Sequence, residues 1–311
     1  MSKKDSHDPA WLTTLGLLAG AAAGYLAWHK LNQPVGPSFR LRSRRPETAV
    51  VTGASSGIGA VYARKLASLG YDLVLVARRE DRLRTMATEL GEGYGVHTEV
   101  LPADLALERD LQRLEDRIVH SDSMTVLVNN AGFGYSRDFV ELSPEEIDRM
   151  LDVHLRASVR LSRAALPGLL QRSRGAIVNV SSVAGFMALP GAELYAASKG
   201  FLTTFSRALG RQWAGSGVVV QALCPGLTRT EFHEAAGYPS DTGARWPWAW
   251  MSAREVVEAS LAGLELGQSV VIPGAVNQAC VAILATPLEG VLNSLIGRRR
   301  RSGQRPKPVL H

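Results

Sequence analysis

Cysteine is nearly absent: Cys224 and Cys280 are the only two in 311 residues. Two thiols cannot build a disulfide framework. Neither stands in a metal-ligand spacing, so both read as small buried hydrophobes. Surplus positive charge is missing from the body of the chain. The sequence holds 35 Lys and Arg against 29 Asp and Glu, a net charge of +6. Thirteen of the basic residues and two of the acidic ones lie in residues 1–46 and 298–311. Residues 47–297 therefore keep 22 basic and 27 acidic residues, a net −5. A nucleic-acid-binding domain carries its basic stripe on the folded body, so no nucleic-acid partner is expected. Charge of either sign is absent from Trp11 to Trp28.

That charge-free run is 18 residues long, and about 18–20 apolar residues suffice to cross a hydrocarbon core. Trp11, Tyr25 and Trp28 lie at or near its ends, where interfacial aromatics belong. Lys3 and Lys4 precede it; Lys30, Arg40, Arg42, Arg44 and Arg45 follow, which puts the C-terminal side in the cytoplasm. Three other readings compete. Ala21–Ala23 offers small residues for signal cleavage, but the run is long for a signal core and the following basic stretch disfavours export. A buried core helix is set against the linker Pro34–Pro37. An amphipathic surface helix lacks its polar face. The expectation is a membrane anchor, with membrane lipids as partners of the two basic tails.

The expected organisation is a polar N-terminus at 1–10, an anchor helix at 11–28, a basic linker at 29–46, a folded domain at 47–274, an apolar segment at 275–297 and a basic tail at 298–311. Between Ser269 and Ile296 the only charged residue is Glu289, and Arg298–Arg301 follows. The apolar segment reads either as a second membrane-docking element or as simple packing onto the domain. Pro287 and the short apolar lengths argue against a second span.

Thr48–Thr52 is apolar and β-rich, a buried parallel strand. Gly53, Ala54, Ser55, Ser56, Gly57, Ile58 and Gly59 follow it. A helix is expected from about Ala60 to Leu69, stopped by Gly70, and then the strand Asp72–Val76. Strand, glycine-rich turn, helix and strand make a βαβ unit. Glycines serve where the backbone turns sharply against a pyrophosphate, and the helix N-terminus supplies amide donors. An NAD site places an acid at the end of the second strand for the ribose 2′-hydroxyl. Here Ala77-Arg78-Arg79 stands instead, leaving room and charge for a 2′-phosphate. The cofactor expected is NADP(H), with Arg78 on its phosphate.

Tyr195-Ala196-Ala197-Ser198-Lys199 puts a phenol and an ammonium one helical turn apart, on one face. A free tyrosine titrates near about 10, and a nearby cation favours its phenolate. The pair is an acid/base device suited to carbonyl–alcohol interconversion.

With these motifs in order, Thr48 to about Gly274 resembles the single-domain short-chain dehydrogenase/reductases, in their ketoacyl-reductase-like branch. Thr52 to Gly59 resembles their cofactor loop, and Asp104 matches the acid that contacts adenine. Asn129-Asn130-Ala131-Gly132 matches the motif that braces the sheet and lines the cofactor. Ser182, 13 residues before Tyr195, stands at the family spacing for the catalytic serine. Tyr195 and Lys199 match the catalytic pair. Pro225-Gly226, with Thr230 beyond, resembles the segment holding the nicotinamide carboxamide. One departure stands out: His154 occupies the position where the family has an asparagine that holds a water in the proton relay to lysine. A neutral imidazole can also bond a water and a carbonyl, so the relay is expected in altered form; the competing reading is that His154 only fills space.

The resemblance implies an α/β fold of Rossmann type: a doubly wound parallel sheet of about seven strands. Strands are expected near 48–52, 72–76, 98–101, 125–129, 175–180, 217–223 and 269–272. Capping boxes begin at Ser143, opening a helix toward Pro167, and at Ser252. The implied reaction is hydride transfer with Tyr195 as general acid/base. The segment from Thr230 to about Met251 lacks periodicity and corresponds to the family's substrate lid; it carries Trp246, Trp248 and Trp250. Those rings read either as walls of a lipophilic pocket or interface, or as packing. The expected substrate is a lipophilic carbonyl or alcohol: a 3-oxoacyl thioester, a steroid, a retinoid or a long-chain aldehyde. A homodimer or homotetramer is implied. A membrane-tethered NADP(H)-binding scaffold with weak or no catalysis is the alternative; epimerase or dehydratase chemistry on nucleotide sugars calls for a different glycine spacing and a longer C-terminal domain.

Overall fold

The computed structural model describes residues 38–41, 47–232, 237 and 249–284. The expected anchor at 11–28, most of the linker, Trp246 and Trp248, and everything from 285 through the basic tail lie outside the described residues. Among the described residues no helix is long and apolar enough to cross a membrane.

Nine strands are described: β1 Thr48–Thr52, β2 Asp72–Ala77, β3 Thr98–Pro102, β4 Met124–Asn129, β5 Gly175–Val180, β6 Val218–Leu223, β7 Thr228–Arg229, β8 Met251–Ser252 and β9 Val270–Val271. Seven form one parallel sheet in the order β3-β2-β1-β4-β5-β6-β9. All residues of β1, β4, β5 and β6 are buried. Helices cover both faces, so these strands read as continuous apolar runs rather than alternating ones. The pleat still sorts them. Ala49 and Val51 pack toward α1 (Gly57–Ser68), α2 (Glu80–Tyr94) and a late helix at Ala253–Glu265. Val50 packs toward α3 (Glu108–Val119) and a helix at Ala157–Gln171 on the other side. Strand order reverses between β1 and β4, and in such sheets the crevice at that carboxyl end takes the ligand.

Ser143 and Ser252 form the expected capping boxes. Ser143 Oγ accepts from Glu146 N–H while the Glu146 carboxylate accepts from Ser143 N–H; Ser252 and Glu255 repeat the exchange. The first opens α4 (Pro144–Leu151). Before α5 (Ala157–Gln171) the chain makes a π turn, Asp152–Arg156, with His154 in it. Such turns gather at functional sites. Pro167 lies inside α5 rather than at its end. α6 spans Glu193–Gln212, α7 Ala253–Glu265 and α8 Ala275–Leu284.

The folded body takes in residues on both sides of the expected domain. Phe39 N–H donates to Leu264 O, and its buried ring lies under the Arg174 guanidinium. Val281 of α8 is buried with Ala222, Cys224, Val270 and Ile272. The expectation of two buried thiols is corrected here: Cys224 is buried, but Cys280 lies on the exposed face of α8. The unpatterned stretch after Thr230 is tied at its two ends, because β7 pairs with β8, Thr228 opposite Met251.

Candidate active site

The glycine loop sits where β1 ends. Gly53 and Gly57 have φ of +66° and +56°, conformations costly for other residues. A Cβ on Gly53 would stand 2.6 Å from Asn130 Nδ2, and one on Gly59 would collide with the Gly53 carbonyl. Asn130 belongs to this close packing. Its side-chain amide donates to Thr52 O (2.9 Å) and Gly53 O (3.3 Å). Thr52 Oγ1 accepts from the backbone N–H groups of Asn130 and Ala131 and donates to Val128 O. The ends of β1 and β4 are thereby stitched across the crevice. Ile58 packs against the apolar core beneath the loop.

Asn129 braces the sheet as expected of its position. Its Nδ2 donates to Asn179 Oδ1 on β5 (2.8 Å), whose own Nδ2 reaches Ser206 Oγ on α6. Asp104 follows β3 and accepts from Arg149 (2.6 Å) and from Ala106 N–H (3.2 Å).

Two arginines lie where β2 ends, and their surroundings differ. Arg78 is exposed, and its charge acts on Asp104 and Tyr135. Arg79 turns onto the glycine loop: Nε and Nη2 donate to Ser55 Oγ, and Nη2 also to Ser56 Oγ (2.7 Å). Guanidinium and hydroxyl groups beside a glycine-lined helix N-terminus fit a dinucleotide carrying an extra phosphate.

Ser182 comes two residues after β5. Its Oγ accepts from Ala184 N–H (3.1 Å) and donates to Pro225 O (3.4 Å), which also accepts from Val183 N–H. The segment holding Ser182 lies directly on α6: a Cβ on Gly185 would stand 2.7 Å from Gly200 N. That contact adjoins Lys199 and fixes the serine's segment against the helix that carries Tyr195. On the other side of the crevice, Gly226 passes so close to Asn277 of α8 that no side chain fits there. Thr230 Oγ1 accepts from Phe232 N–H.

Lys199 is 5% exposed. Its Nζ donates to Val180 O (2.8 Å) and stands 5.6 Å from the Tyr195 ring centroid. Burial pulls its ammonium down to about 8. A Cβ on Gly132 would meet both His154 Nε2 (3.2 Å) and Lys199 Nζ (3.5 Å), so these three enclose one small space.

His154 is fully buried, and protein atoms take both its ring nitrogens. Phe133 N–H donates to Nε2 (3.0 Å), which puts the proton on Nδ1, 2.9 Å from Ser198 Oγ. Ser198 in turn donates to Tyr195 O (2.7 Å). Burial, and then the charge of Lys199, hold the imidazole well below its ordinary range, so it stays neutral. An aromatic row runs through the site. Phe133 meets His154 edge-on at 5.5 Å, His154 meets Tyr195 at 5.8 Å, and Phe232 lies 5.8 Å beyond Tyr195.

Arg79, Ser198, Phe133, Gly185 and Phe232 belong to the site beyond the residues expected from the sequence. Two of them had a visible signal: Arg79 adjoins Arg78, and Ser198 lies inside the Tyr195–Lys199 turn. The others are brought in from elsewhere in the chain.

Residues 47–238 match the family model described as short chain dehydrogenase. The chain is 38% identical over 190 residues to the very-long-chain 3-oxoacyl-CoA reductase of Anas platyrhynchos, covering 59% of this chain and 60% of that protein. It is 35% identical over 179 residues to the inactive hydroxysteroid dehydrogenase-like protein 1 of Homo sapiens, covering 57% of this chain and 54% of that protein. The matches thus span between about half and three-fifths of these curated relatives. Among solved structures, the short-chain dehydrogenase from Sphingobium yanoikuyae in complex with NADPH is 36% identical, with a TM-score of 0.70. It covers 85% of this chain and 98% of its own.

Proposed function

The chain belongs to the short-chain dehydrogenase family, and we propose that within it this protein interconverts a carbonyl and an alcohol on a lipophilic substrate, with NADP(H) as cofactor. The observation that carries the reading is a buried ammonium, Lys199, set 5.6 Å from the ring of Tyr195 at the carboxyl end of β5. A charge is costly to bury without a task or a partner, and here it faces a phenol.

Tyr195 gives its proton to the substrate oxygen in reduction and takes it back in oxidation. Lys199 stabilises the negative charge that develops on the phenol oxygen. Ser182 turns its hydroxyl to the same substrate oxygen. His154 positions Tyr195 through Ser198. Its ring nitrogens are bonded to Phe133 and Ser198, which leaves neither to hold a relay water. NADP(H), when bound, supplies or takes up the hydride. The residues to hold it are the loop Gly53–Gly59 with Ser55 and Ser56, Arg78 and Arg79 at the 2′-phosphate, Asp104 at the adenine, Asn130 to Gly132 along its length, and Pro225, Gly226 and Thr230 at the nicotinamide. Likeness to an NADPH complex and the absence of an acid at the end of β2 support that choice.

The row Phe133, His154, Tyr195 and Phe232 gives the cleft an apolar wall, and a relative acts on a very-long-chain 3-oxoacyl-CoA, as its name states. A fatty 3-oxoacyl thioester therefore leads the candidates, ahead of steroids, retinoids and long-chain aldehydes. Residues 11–28 anchor the protein with its catalytic domain on the cytoplasmic side. The second reading, an NADP(H)-binding scaffold with no turnover, is favoured by the relative named inactive. NADPH oxidation by the purified protein over a panel of lipophilic ketones and aldehydes, beside equilibrium NADPH binding, separates the two. Turnover with any of them supports the enzyme; tight NADPH binding with none supports the scaffold.

A further inference from the structure

Glu231 immediately follows Thr230, yet its carboxylate reaches back to the end of β2. Its Oε2 accepts from Arg79 Nη1 (2.9 Å), and both its oxygens accept from Arg82 Nη1 (2.7 and 2.9 Å). Arg79 and Arg82 are three residues apart at the start of α2 and share a face. The opposite edge of Arg79 is the one bonded to Ser55 and Ser56. Two guanidinium groups thus converge on one carboxylate beside the glycine loop, where a parallel α/β sheet reads the ribose of a dinucleotide. Carboxylate and phosphate are alternative partners for the same guanidinium fork.

We propose that Glu231 is a built-in competitor for the 2′-phosphate of NADP(H): it occupies Arg79 and Arg82, and the phosphate displaces it. The proposal rests on the NADP(H) reading above. Side-chain exposures of 41%, 45% and 49% for Arg79, Arg82 and Glu231 leave the ion pairs open to exchange. The carboxylate is not adrift. On one side of it, Thr230 packs to 3.2 Å of where a Gly57 Cβ would stand; on the other, the Phe232 ring lies against Tyr195. A tethered competitor acts at a high effective concentration, so it sets a threshold that only a group of greater charge passes. The arrangement tempers affinity for the phosphorylated cofactor alone: a cofactor without the phosphate leaves the pairs intact, whereas one that carries it must break them.

A glutamate that merely orients Arg79 for the phosphate predicts the opposite effect of its removal. The test is calorimetric binding of adenosine 2′,5′-bisphosphate and of adenosine 5′-monophosphate to the full chain and to Glu231→Gln. Wild type is expected to prefer the bisphosphate. Glu231→Gln is expected to bind the bisphosphate about three- to tenfold more tightly, the scale of two exposed ion pairs no longer broken. Its affinity for the monophosphate is unchanged, and the gain is lost when Arg79→Ala is added. Wild type that fails to discriminate the two nucleotides overturns the NADP(H) reading itself. Discrimination with an unchanged or weaker Glu231→Gln overturns the competitor alone, as does equal tightening toward both nucleotides.

Discussion

Replacing Lys199 by methionine separates stability from function. Burial holds the Lys199 ammonium at about 8 against an ordinary 10.5. At ~1.4 kcal/mol per unit, that displacement is about 3 kcal/mol working against the fold at pH 7. Methionine has similar length and no charge, and it adapts to irregular space. The substitution also removes the donor to Val180 O, and an unsatisfied buried carbonyl costs about 1–3 kcal/mol. Lys199→Met is therefore expected to range from unchanged to about 2 kcal/mol more stable than wild type, while turnover is lost. Urea unfolding at several pH values measures it. The sign follows from proton counts. Between pH 8 and 10.5 the unfolded chain binds a proton that the folded chain has released, so wild-type stability rises with pH there relative to the variant. The advantage of Lys199→Met is greatest near neutral pH and closes toward pH 10.5. A variant less stable than wild type by more than about 2 kcal/mol at pH 7, or a difference that ignores pH between 8 and 10.5, refutes the reasoning.

Turnover that needs the Lys199 ammonium declines as pH rises through about 8; a pH–rate profile flat to pH 10 contradicts that need. His154→Ala strands Phe133 N–H, removes the donor to Ser198 Oγ and opens a cavity, so chemical denaturation should register a loss of about 2–4 kcal/mol. Its kcat should drop while the pH–rate profile keeps its shape, whereas a displaced profile assigns His154 a share in proton transfer. Arg78→Ala and Arg79→Ala should each weaken NADPH at least about tenfold more than NADH, as loss of a charge-assisted phosphate contact implies; equal losses in titrations with the two cofactors remove the 2′-phosphate assignment. Deleting residues 1–35 should move the protein from the membrane to the soluble fraction on sedimentation, and persistent sedimentation shifts the anchor to the apolar C-terminal segment.

What could be read from the sequence was whatever neighbours in the chain decide. β1, β4, β5 and β6 announce themselves because helices bury both their faces, leaving unbroken apolar runs. The capping boxes at Ser143 and Ser252 are local exchanges over three residues. Ser182, Tyr195 and Lys199 lie within one strand–turn–helix unit, so their spacing carries their geometry. The π turn at Asp152–Arg156 has no glycine or proline to mark it. It surrounds His154, whose ring partners stand 21 and 44 residues away in the chain. Arg79 could not be told from Arg78 by composition, since what distinguishes them is the direction each side chain takes from the end of β2. Glu231 lies 152 residues beyond Arg79, and only the folded chain brings the two together. Residue type alone puts Cys280 in the interior, but α8 shares just part of its surface with the core, and that part holds Asn277 and Val281.

Carbonyl reduction at this site depends on Tyr195 as the proton donor. Single-turnover reduction of a lipophilic ketone by the NADPH-loaded protein, for wild type and Tyr195→Phe, tests it most directly. Removing one hydroxyl from a half-buried ring should leave NADPH affinity within about twofold, while the chemical step slows by about 10²–10⁴, the usual worth of a positioned general acid. A Tyr195→Phe protein that binds NADPH normally and reduces the ketone at the wild-type rate contradicts it.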